Sequence, residues 1–394
     1  MPAGTTPDGQ SPAEQPTGGT LPAGVIGCGD AGGAHALTVT RTSRATLTAT
    51  YDLDGARAVA VAARHGGTAV GSVEELVATG VTLVAIATGP IAQPQVVRRL
   101  IDAGYAGSVL CEKPLATSVA SARRTVDAAR DAGLVLAVNH ERRFGLPAVT
   151  ARRLVTEGAI GRLLRVEGYS PDGTLYDWAP HWIDLAFDVA GGSAVRWVHG
   201  LLDLTGRREH AGLLLERHGL LLWEHANGVR GQLECGRPVP GQPLLRLLGD
   251  DGTIEVGAVL AGPDGEVRGP ALRIRDSAGI GWRHIDVGES ALAAVQWTRS
   301  WDELIDATLH GRQPEHHGQR AVRALEVCLA GYLAARRGAP QWLPVDPGTD
   351  LRDLLPAPPP AVAGPKADPH AADGPRADPH AAGTGADATA GALS

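Results

Sequence analysis

Strand-like and helix-like stretches alternate from Leu21 to Val138, and this alternation limits the fold more than any other feature of the sequence. An apolar strand, Leu21 to Gly27, runs into Gly27-Cys28-Gly29-Asp30-Ala31-Gly32, which opens a helix. A second strand, Ala45–Tyr51, ends at Asp52. Then come helix Gly55–His65, a short strand near Thr68–Val70, helix Val73–Ala78 and strand Leu83–Ala87. Helix Gln93–Ala103, strand Ser108–Cys111, helix Ser118–Ala132 and strand Leu134–Val138 complete the series. Strands at this spacing, separated by helical patterns, predict an α/β chain with a doubly wound parallel sheet of Rossmann type.

The glycine spacing gives that sheet a candidate ligand. In a GxGxxG loop the first glycine permits a tight turn, the second lets a pyrophosphate approach the backbone, and the third lets helix and strand pack closely. Helix N-terminal amides then face the phosphates. Gly27, Gly29, Asp30, Ala31 and Gly32 are the corresponding residues here. Asp52 lies 20 residues past Gly32, where a carboxylate accepts hydrogen bonds from adenine-ribose hydroxyls. That favours NAD, because a 2′-phosphate would meet the carboxylate; Arg57 nearby leaves NADP open. A helix-capping role is the alternative for Asp52. Ligands bind at strand C-termini in such sheets, so Gly27–Gly32, Asp52, Thr88, Glu112, Lys113 and Asn139 face one crevice.

Lys113, in Cys111-Glu112-Lys113-Pro114-Leu115, stands out by composition. Of 36 Lys+Arg side chains two are lysine, and the other, Lys366, lies in a low-complexity tail. A chain that uses arginine wherever charge suffices keeps one lysine in its folded part. An ammonium is compact and tunable, whereas a guanidinium is wide, planar and always charged.

Taken together, GxGxxG with His35 three residues on, the strand-ending Asp52, an Ala-Thr-x-Pro turn (Ala87 to Pro90) and Glu-Lys-Pro resemble the Gfo/Idh/MocA oxidoreductases. The resemblance extends over roughly residues 21–345. It implies that Lys113 lies beside a nicotinamide and contacts substrate, and that Thr88, Gly89, Pro90, Gln93, Glu112 and Asn139 lie near the cofactor. Relatives often carry His where this chain has Gln93. In relatives the bond before Pro114 can be cis, which sequence does not decide.

The pattern changes after Arg142. Helix Pro147–Glu157 and strand Arg162–Gly168 lead through a loop, Tyr169–Leu175, to Tyr176-Asp177-Trp178-Ala179-Pro180-His181-Trp182-Ile183-Asp184. The family carries Asp-x-Gly-x-His-x-x-Asp here; Ala179 replaces the Gly. Spacings of four and three put Asp177, His181 and Asp184 on one helix face, unless Pro180 sits in the first turn and leaves Asp177 before the helix. The resemblance implies that Lys113, Asp177 and His181 are catalytic, with Asp177 holding the imidazole in its charged form and His181 exchanging a proton with the substrate oxygen. Lys113 would stabilise the developing alkoxide. Asp184 and Arg142 are candidate substrate contacts. For Tyr176, Trp178 and Trp182 core packing is favoured over stacking on a sugar, and Arg142 and Arg143 are open between contact with a substrate phosphate or carboxylate and surface salt bridges.

Beyond Gly192, strand-like runs (Val195–Leu204, Gly212–Glu216, Leu220–Glu224, Val229–Cys235, Leu244–Leu248, Thr253–Gly257, with Arg273 and Trp282–Val287) predict a large, mostly antiparallel open sheet in an α+β second domain. Helices Ala291–Leu309 and Gly318–Arg336 follow, and His316 and His317 read as loop residues. The domains expected are 21–142 and 143–345. Residues 1–20 and 346–394 are expected to be disordered. The tail repeats Gly-Pro-(Lys/Arg)-Ala-Asp-Pro-His-Ala-Ala, with His370 and His380 a weak metal prospect.

A formal charge of −7 and a pI near 6.1 give no basic footprint for nucleic acid. Four dispersed cysteines argue against disulfides and a zinc site. No signal-like or membrane-spanning run is visible, so a cytoplasmic protein without a metal is expected. Function points to an NAD(P)-dependent dehydrogenase acting on a secondary hydroxyl or ketone of a sugar or cyclitol, in a homo-oligomer by resemblance. An NAD-dependent glycoside hydrolase on the same fold and a non-catalytic NAD-binding regulator are the rival readings.

Overall fold

The computed structural model describes residues 19–170, 173–236, 243–258, 260–261, 267–268, 271–276, 281–290 and 294–355. The expected disorder of 1–18 and 356–394, the prospect at His370 and His380, and residues 291–293 of the expected helix lie outside these.

The first sheet is built by β1 (Leu21–Ile26), α1 (Asp30–Arg41), β2 (Ala45–Tyr51), α2 (Gly55–His65), β3 (Thr68–Ala69), α3 (Val73–Ala78), β4 (Leu83–Ile86), α4 (Gln93–Asp102), β5 (Ser108–Cys111), α5 (Val119–Asp131) and β6 (Val135–Val138). Its order is β3-β2-β1-β4-β5-β6, parallel throughout. The chain reverses its winding between β1 and β4, which opens a crevice at their C-terminal ends. Strands β4 and β5 are buried at every residue, as expected of strands covered on both faces. Asp54, Ser72 and Ser118 cap α2, α3 and α5 through their side chains.

A short 3-10 helix, Glu141–Phe144, leads to α6 (Leu146–Thr156), β7 (Leu163–Ser170), α7 (Ala179–Val189), β8 (Val195–Asp203), β9 (Arg208–His210), β10 (Leu213–Leu215), β11 (His218–His225) and β12 (Arg230–Cys235). Then follow β13 (Pro243–Gly249), β14 (Gly252–Ala258), the two-residue pair β15 (Leu260–Ala261) and β16 (Val267–Arg268), β17 (Leu272–Asp276) and β18 (Arg283–His284). The chain closes with α8 (Val295–Leu309), α9 (Gly318–Arg337), β19 (Gln341–Trp342) and α10 (Leu351–Leu354). The second sheet runs β18-β17-β14-β13-β7-β12-β11-β8-β19, antiparallel except where β7 meets β12. Helices α7 and α9 pack on one face. Their approach is close: a methyl group on Gly200 of β8 would lie 2.2 Å from the Gly331 carbonyl of α9.

Three expectations change. The run Gly212–Glu216 does not join the large sheet; Ala211 and Gly212, at φ 50° and 80°, turn β10 back onto β9 in a separate hairpin. Helix α8, assigned by sequence to the second domain, covers the first sheet: Trp301, Leu304 and Ile305 share a core with Val25, Leu83 and Leu110. The α1 side of the sheet needs that cover to stay dry. Residues 346–355, expected in the tail, dock on α5, where Thr117 donates to Asp350 and Leu351 is fully buried. His316 lies in a loop, as expected, and is buried there. It is 1% exposed, edge-on to Phe144, because its carbonyl accepts from Val138 and pins the loop against β6.

Among the described residues no helix is long and apolar enough to cross a membrane. The four cysteines are buried and free.

Beneath α7 lies a buried ion network. Asp184 pairs with Arg143 and, at 2.9 Å, with Arg320; Asp188 pairs with Arg143, Arg152 and Arg320. It ties the 3-10 helix, α6, α7 and α9 together. Burial opposes the Asp184 charge, but Arg143, His140 and Arg320 outweigh it and hold the carboxyl well below the ordinary aspartate value. Removing one partner strands a buried charge, so Asp184→Ala should cost about 3–5 kcal/mol in urea unfolding at neutral pH. Because the folded state depresses this carboxyl, its contribution is present above the unfolded pKa and is lost as the pH falls below it. The stability gap between wild type and the variant should therefore close on acidification.

Candidate active site

The glycine loop forms a cradle. A methyl group on Gly32 would lie 1.7 Å from the Gly27 carbonyl oxygen, and one on Gly27 would lie 2.6 Å from that of Ala87. On Gly29 or Gly33 it would meet nothing within 4 Å. Two glycines thus serve packing, and the other two leave space at the helix start. Gly29 is the N-cap of α1 and provides no side-chain cap, so the first amides keep their donor capacity for an anion. Asp30 and Ala31 begin that turn. Asp52 directly follows β2 and accepts from the Cys28 amide at 2.6 Å and the Asp54 amide at 2.8 Å, which fixes its carboxylate at the crevice rim. Thr88 Oγ1, at the end of β4, is buried without a partner. The vacant side of Gly29, the uncapped helix start and this orphaned hydroxyl fit a dinucleotide.

Glu112 follows β5 directly. Its Oε1 takes hydrogen bonds from His35 Nε2 at 3.1 Å and Asn139 Nδ2 at 2.8 Å; its Oε2 accepts from the Lys113 amide. Trp301 Nε1, a donor only, faces His35 Nδ1 at 3.1 Å, so the ring proton sits on Nε2 and points at Glu112. Ser300 Oγ donates to Asn139 Oδ1. The side chains of Glu112 and Asn139, expected beside a cofactor, are thereby consumed in an internal network. Gln93 is also enclosed: Nε2 donates to the Pro114 carbonyl at 2.8 Å and so fixes the segment after Lys113. The Lys113-Pro114 bond is cis.

Lys113 Nζ meets Asp177 Oδ1 at 2.5 Å and the Asp177 carbonyl at 3.2 Å. Burial pushes the ammonium down, yet Asp177, Glu112 and Glu141 outweigh it and keep it above its ordinary value. Burial likewise opposes the Asp177 charge, while Lys113 and then His210 hold that carboxyl low. Pro180 lies in the first turn of α7, so Asp177 precedes the helix. The expected Asp177–His181 pairing gives way accordingly: Asp177 turns to Lys113, and His181 Nδ1 faces Glu141 Oε2 at 3.6 Å. The imidazole is not held charged. Burial first, then the charges of Lys113, His140 and Arg142, push it well below its ordinary value. A neutral imidazole beside a charged ammonium is the combination a proton acceptor needs.

Asp184 shares the His181 side of α7, but Arg143 and Arg320 occupy its oxygens, so it anchors the helix instead of lining the site. Arg142 donates to Gln296 at 3.2 Å, stands 3.3 Å from Glu141 and lies 5.6 Å over the Trp178 ring. Tyr176 donates to the Ala116 carbonyl, and both Tyr176 and Trp182 are core residues. Glu216 on the segment after β10 accepts from the Leu175 amide at 2.6 Å and from Tyr332 of α9 at 2.5 Å, fixing the turn that carries Asp177.

Two residues escaped the sequence reading. Glu141 follows β6 at the same sheet edge as Asn139, and that position was its available signal. His210, at the end of β9, stands 3.6 Å from Asp177 and is about half exposed. The hairpin tip beside it nears Gly89, where a methyl would come within 3.3 Å of Ala211 Cβ. Pro90 is buried beneath. No local pattern marks that approach.

Residues 21–140 match the model of an oxidoreductase family with an NAD-binding Rossmann fold, and residues 169–255 match the Gfo/Idh/MocA C-terminal domain. The chain is similar to 1,5-anhydro-D-fructose reductase of Ensifer adhaerens, 42% identical over 27% of this chain and 32% of that protein. It is 34% identical to an inositol 2-dehydrogenase of Saccharopolyspora erythraea over 39% of this chain and 47% of that one. It therefore spans about a third to a half of the length of these curated relatives. The fold resembles a solved levoglucosan dehydrogenase in complex with NADH and L-sorbose, with a TM-score of 0.70 at 20% identity over 82% of this chain and 99% of that chain. With both halves of the pattern matched in order, this chain belongs to the Gfo/Idh/MocA oxidoreductase family.

Proposed function

We propose that the protein is an NAD(P)-dependent dehydrogenase or reductase acting on a secondary hydroxyl, or the matching ketone, of a sugar or cyclitol. The observation that carries this reading is the Lys113–Asp177 contact at 2.5 Å with neutral His181 beside it, at the mouth of the glycine-loop crevice. The names of the curated relatives support the substrate class.

Gly27, Gly29, Asp30, Ala31 and Gly32 would hold the pyrophosphate; Asp52 would hold the adenine ribose. Thr88, Gly89, Pro90 and the Gln93-braced Lys113-Pro114 segment would border the nicotinamide. The cofactor, when bound, supplies the hydride acceptor or donor. Lys113 orients the substrate oxygen and stabilises negative charge on it, Asp177 fixes the ammonium, and His181 moves the proton. Arg142 and Trp178 would border the sugar. Leu201 and Trp342, 58% and 64% exposed, lie on the large sheet and its edge strand, and support self-association there. The protein would work in the cytoplasm.

A panel of sugars, inositols and their keto forms, read by the absorbance of reduced nicotinamide, tests the reading; no turnover on any polyol with NAD or NADP defeats it. Release of a leaving group without net nicotinamide reduction would select the glycoside hydrolase instead. Lys113→Met should lower kcat/KM by about 10²–10³-fold, the effect of losing one preorganised donor to a developing oxyanion, while NAD still binds. Undiminished turnover would refute the role of Lys113. The enzyme should also prefer NAD to NADP, and Asp52→Ser should narrow that preference, measured as the ratio of kcat/KM values.

A further inference from the structure

The His181 ring leaves the proton balance of the proposed reaction unresolved. An imidazole that accepts a substrate proton becomes a cation, yet this ring is 3% exposed and faces Lys113 just past β5, Arg142 of the 3-10 helix and His140 just before it. Its own helix offers Asp184, whose oxygens are taken by two arginines. The remaining anion nearby is Glu141. Its Oε2 is buried without a hydrogen bond, as is His181 Nδ1, and the two atoms face each other at 3.6 Å. Arg142 stands at the other oxygen, 3.3 Å away. No hydrogen bond engages His181 Nε2 among the described residues, so that nitrogen is left for substrate.

We propose that Glu141 is the positioning residue and proton store of His181, receiving the Nδ1 proton as Nε2 takes the proton of the substrate hydroxyl. This rests on the dehydrogenase reading and deepens it. Before reaction, ionised Glu141 accepts from Nδ1–H and leaves Nε2 with its lone pair exposed. During oxidation the substrate O–H bond breaks and Nε2–H forms, the carbon gives up hydride to the nicotinamide, and the Nδ1–H bond breaks as Glu141 Oε2–H forms. The ring ends neutral in its other tautomer, ready to donate from Nε2 in the reverse direction. One hydride and one proton leave the substrate, and a proton comes to rest on the Glu141 carboxylate. Burial, opposed by Arg142, raises the Glu141 carboxyl above its ordinary value, the direction that favours a carboxyl taking up a proton. The 3.6 Å separation exceeds a hydrogen bond; catalytic pairs of this kind tighten when substrate closes the site.

The test is Glu141→Gln in the full chain, with two readouts. In kinetics, kcat should fall about 10- to 100-fold, the worth of a hydrogen bond to a charged group, with KM and NAD affinity little changed. Losing the carboxylate also removes a charge that favours imidazolium, so the His181 limb of the pH profile should move to lower pH. In nitrogen NMR of the rings, assigned with His181→Asn, wild-type His181 should carry its proton on Nδ1, and the variant should lose that preference. Unchanged kcat and pH profile in an active enzyme would overturn the proposal and leave the dehydrogenase reading standing. If the wild type turns over no polyol, the broader reading fails, and the NMR arm still decides the pairing. A wild-type His181 protonated on Nε2 alone at neutral pH refutes it even where the variant does not fold.

Discussion

The buried Glu112 carboxylate is the constraint on which the site depends. A carboxylate withdrawn from water is costly unless its lone pairs are filled, and here three groups fill them: His35 of α1, Asn139 just past β6 and the Lys113 amide, the first two braced in turn by Trp301 and Ser300 of α8. Each contact fixes one more degree of freedom, including the tautomer of His35. Burial opposes the charge, but His35, Lys113 and Asn139 hold the carboxyl below its ordinary value. The next residue is Lys113. The ammonium is thus delivered by a backbone whose preceding side chain is locked from three sides.

Electrostatics then divides the labour around the crevice. Lys113 is charged because three carboxylates outweigh its burial; His181 is neutral because of its burial first and then the positive groups around it. The same ammonium appears in both balances. It stabilises Asp177 as an anion and disfavours an imidazolium nearby, so one side chain sets the protonation of two others. This pushing apart of neighbouring titrating groups is a recurrent way to assign acid and base in one site.

Much of the first sheet was legible because its signals are local. Strands β4 and β5 read as short apolar runs, and Ser72, Ser118 and Asp54 stand where caps belong. Asp52 is reached by counting from Gly32. What stayed hidden depends on contacts remote in sequence. Whether Asp177 points to Lys113 or His181 is decided by where α7 begins, and Pro180 permitted either reading. Glu141 stood beside Arg142 and Arg143, which drew attention by their positive charge. His316 read as a loop residue and is one; its burial, which no local pattern marks, comes with a backbone hydrogen bond to β6. The placement of α8 on the first sheet could not be told from its own amphipathic pattern, which names a buried face but not the neighbour.

Glu216 draws a wider circle around the chemistry. It holds the turn bearing Asp177 by one amide of that turn and one phenol of α9, and burial raises its carboxyl above the ordinary value. The posture of the group that grips Lys113 is therefore inherited from a helix whose main business is covering the second sheet. A substitution at Tyr332 of α9 would therefore loosen the Asp177 turn without altering a single residue that lines the candidate site.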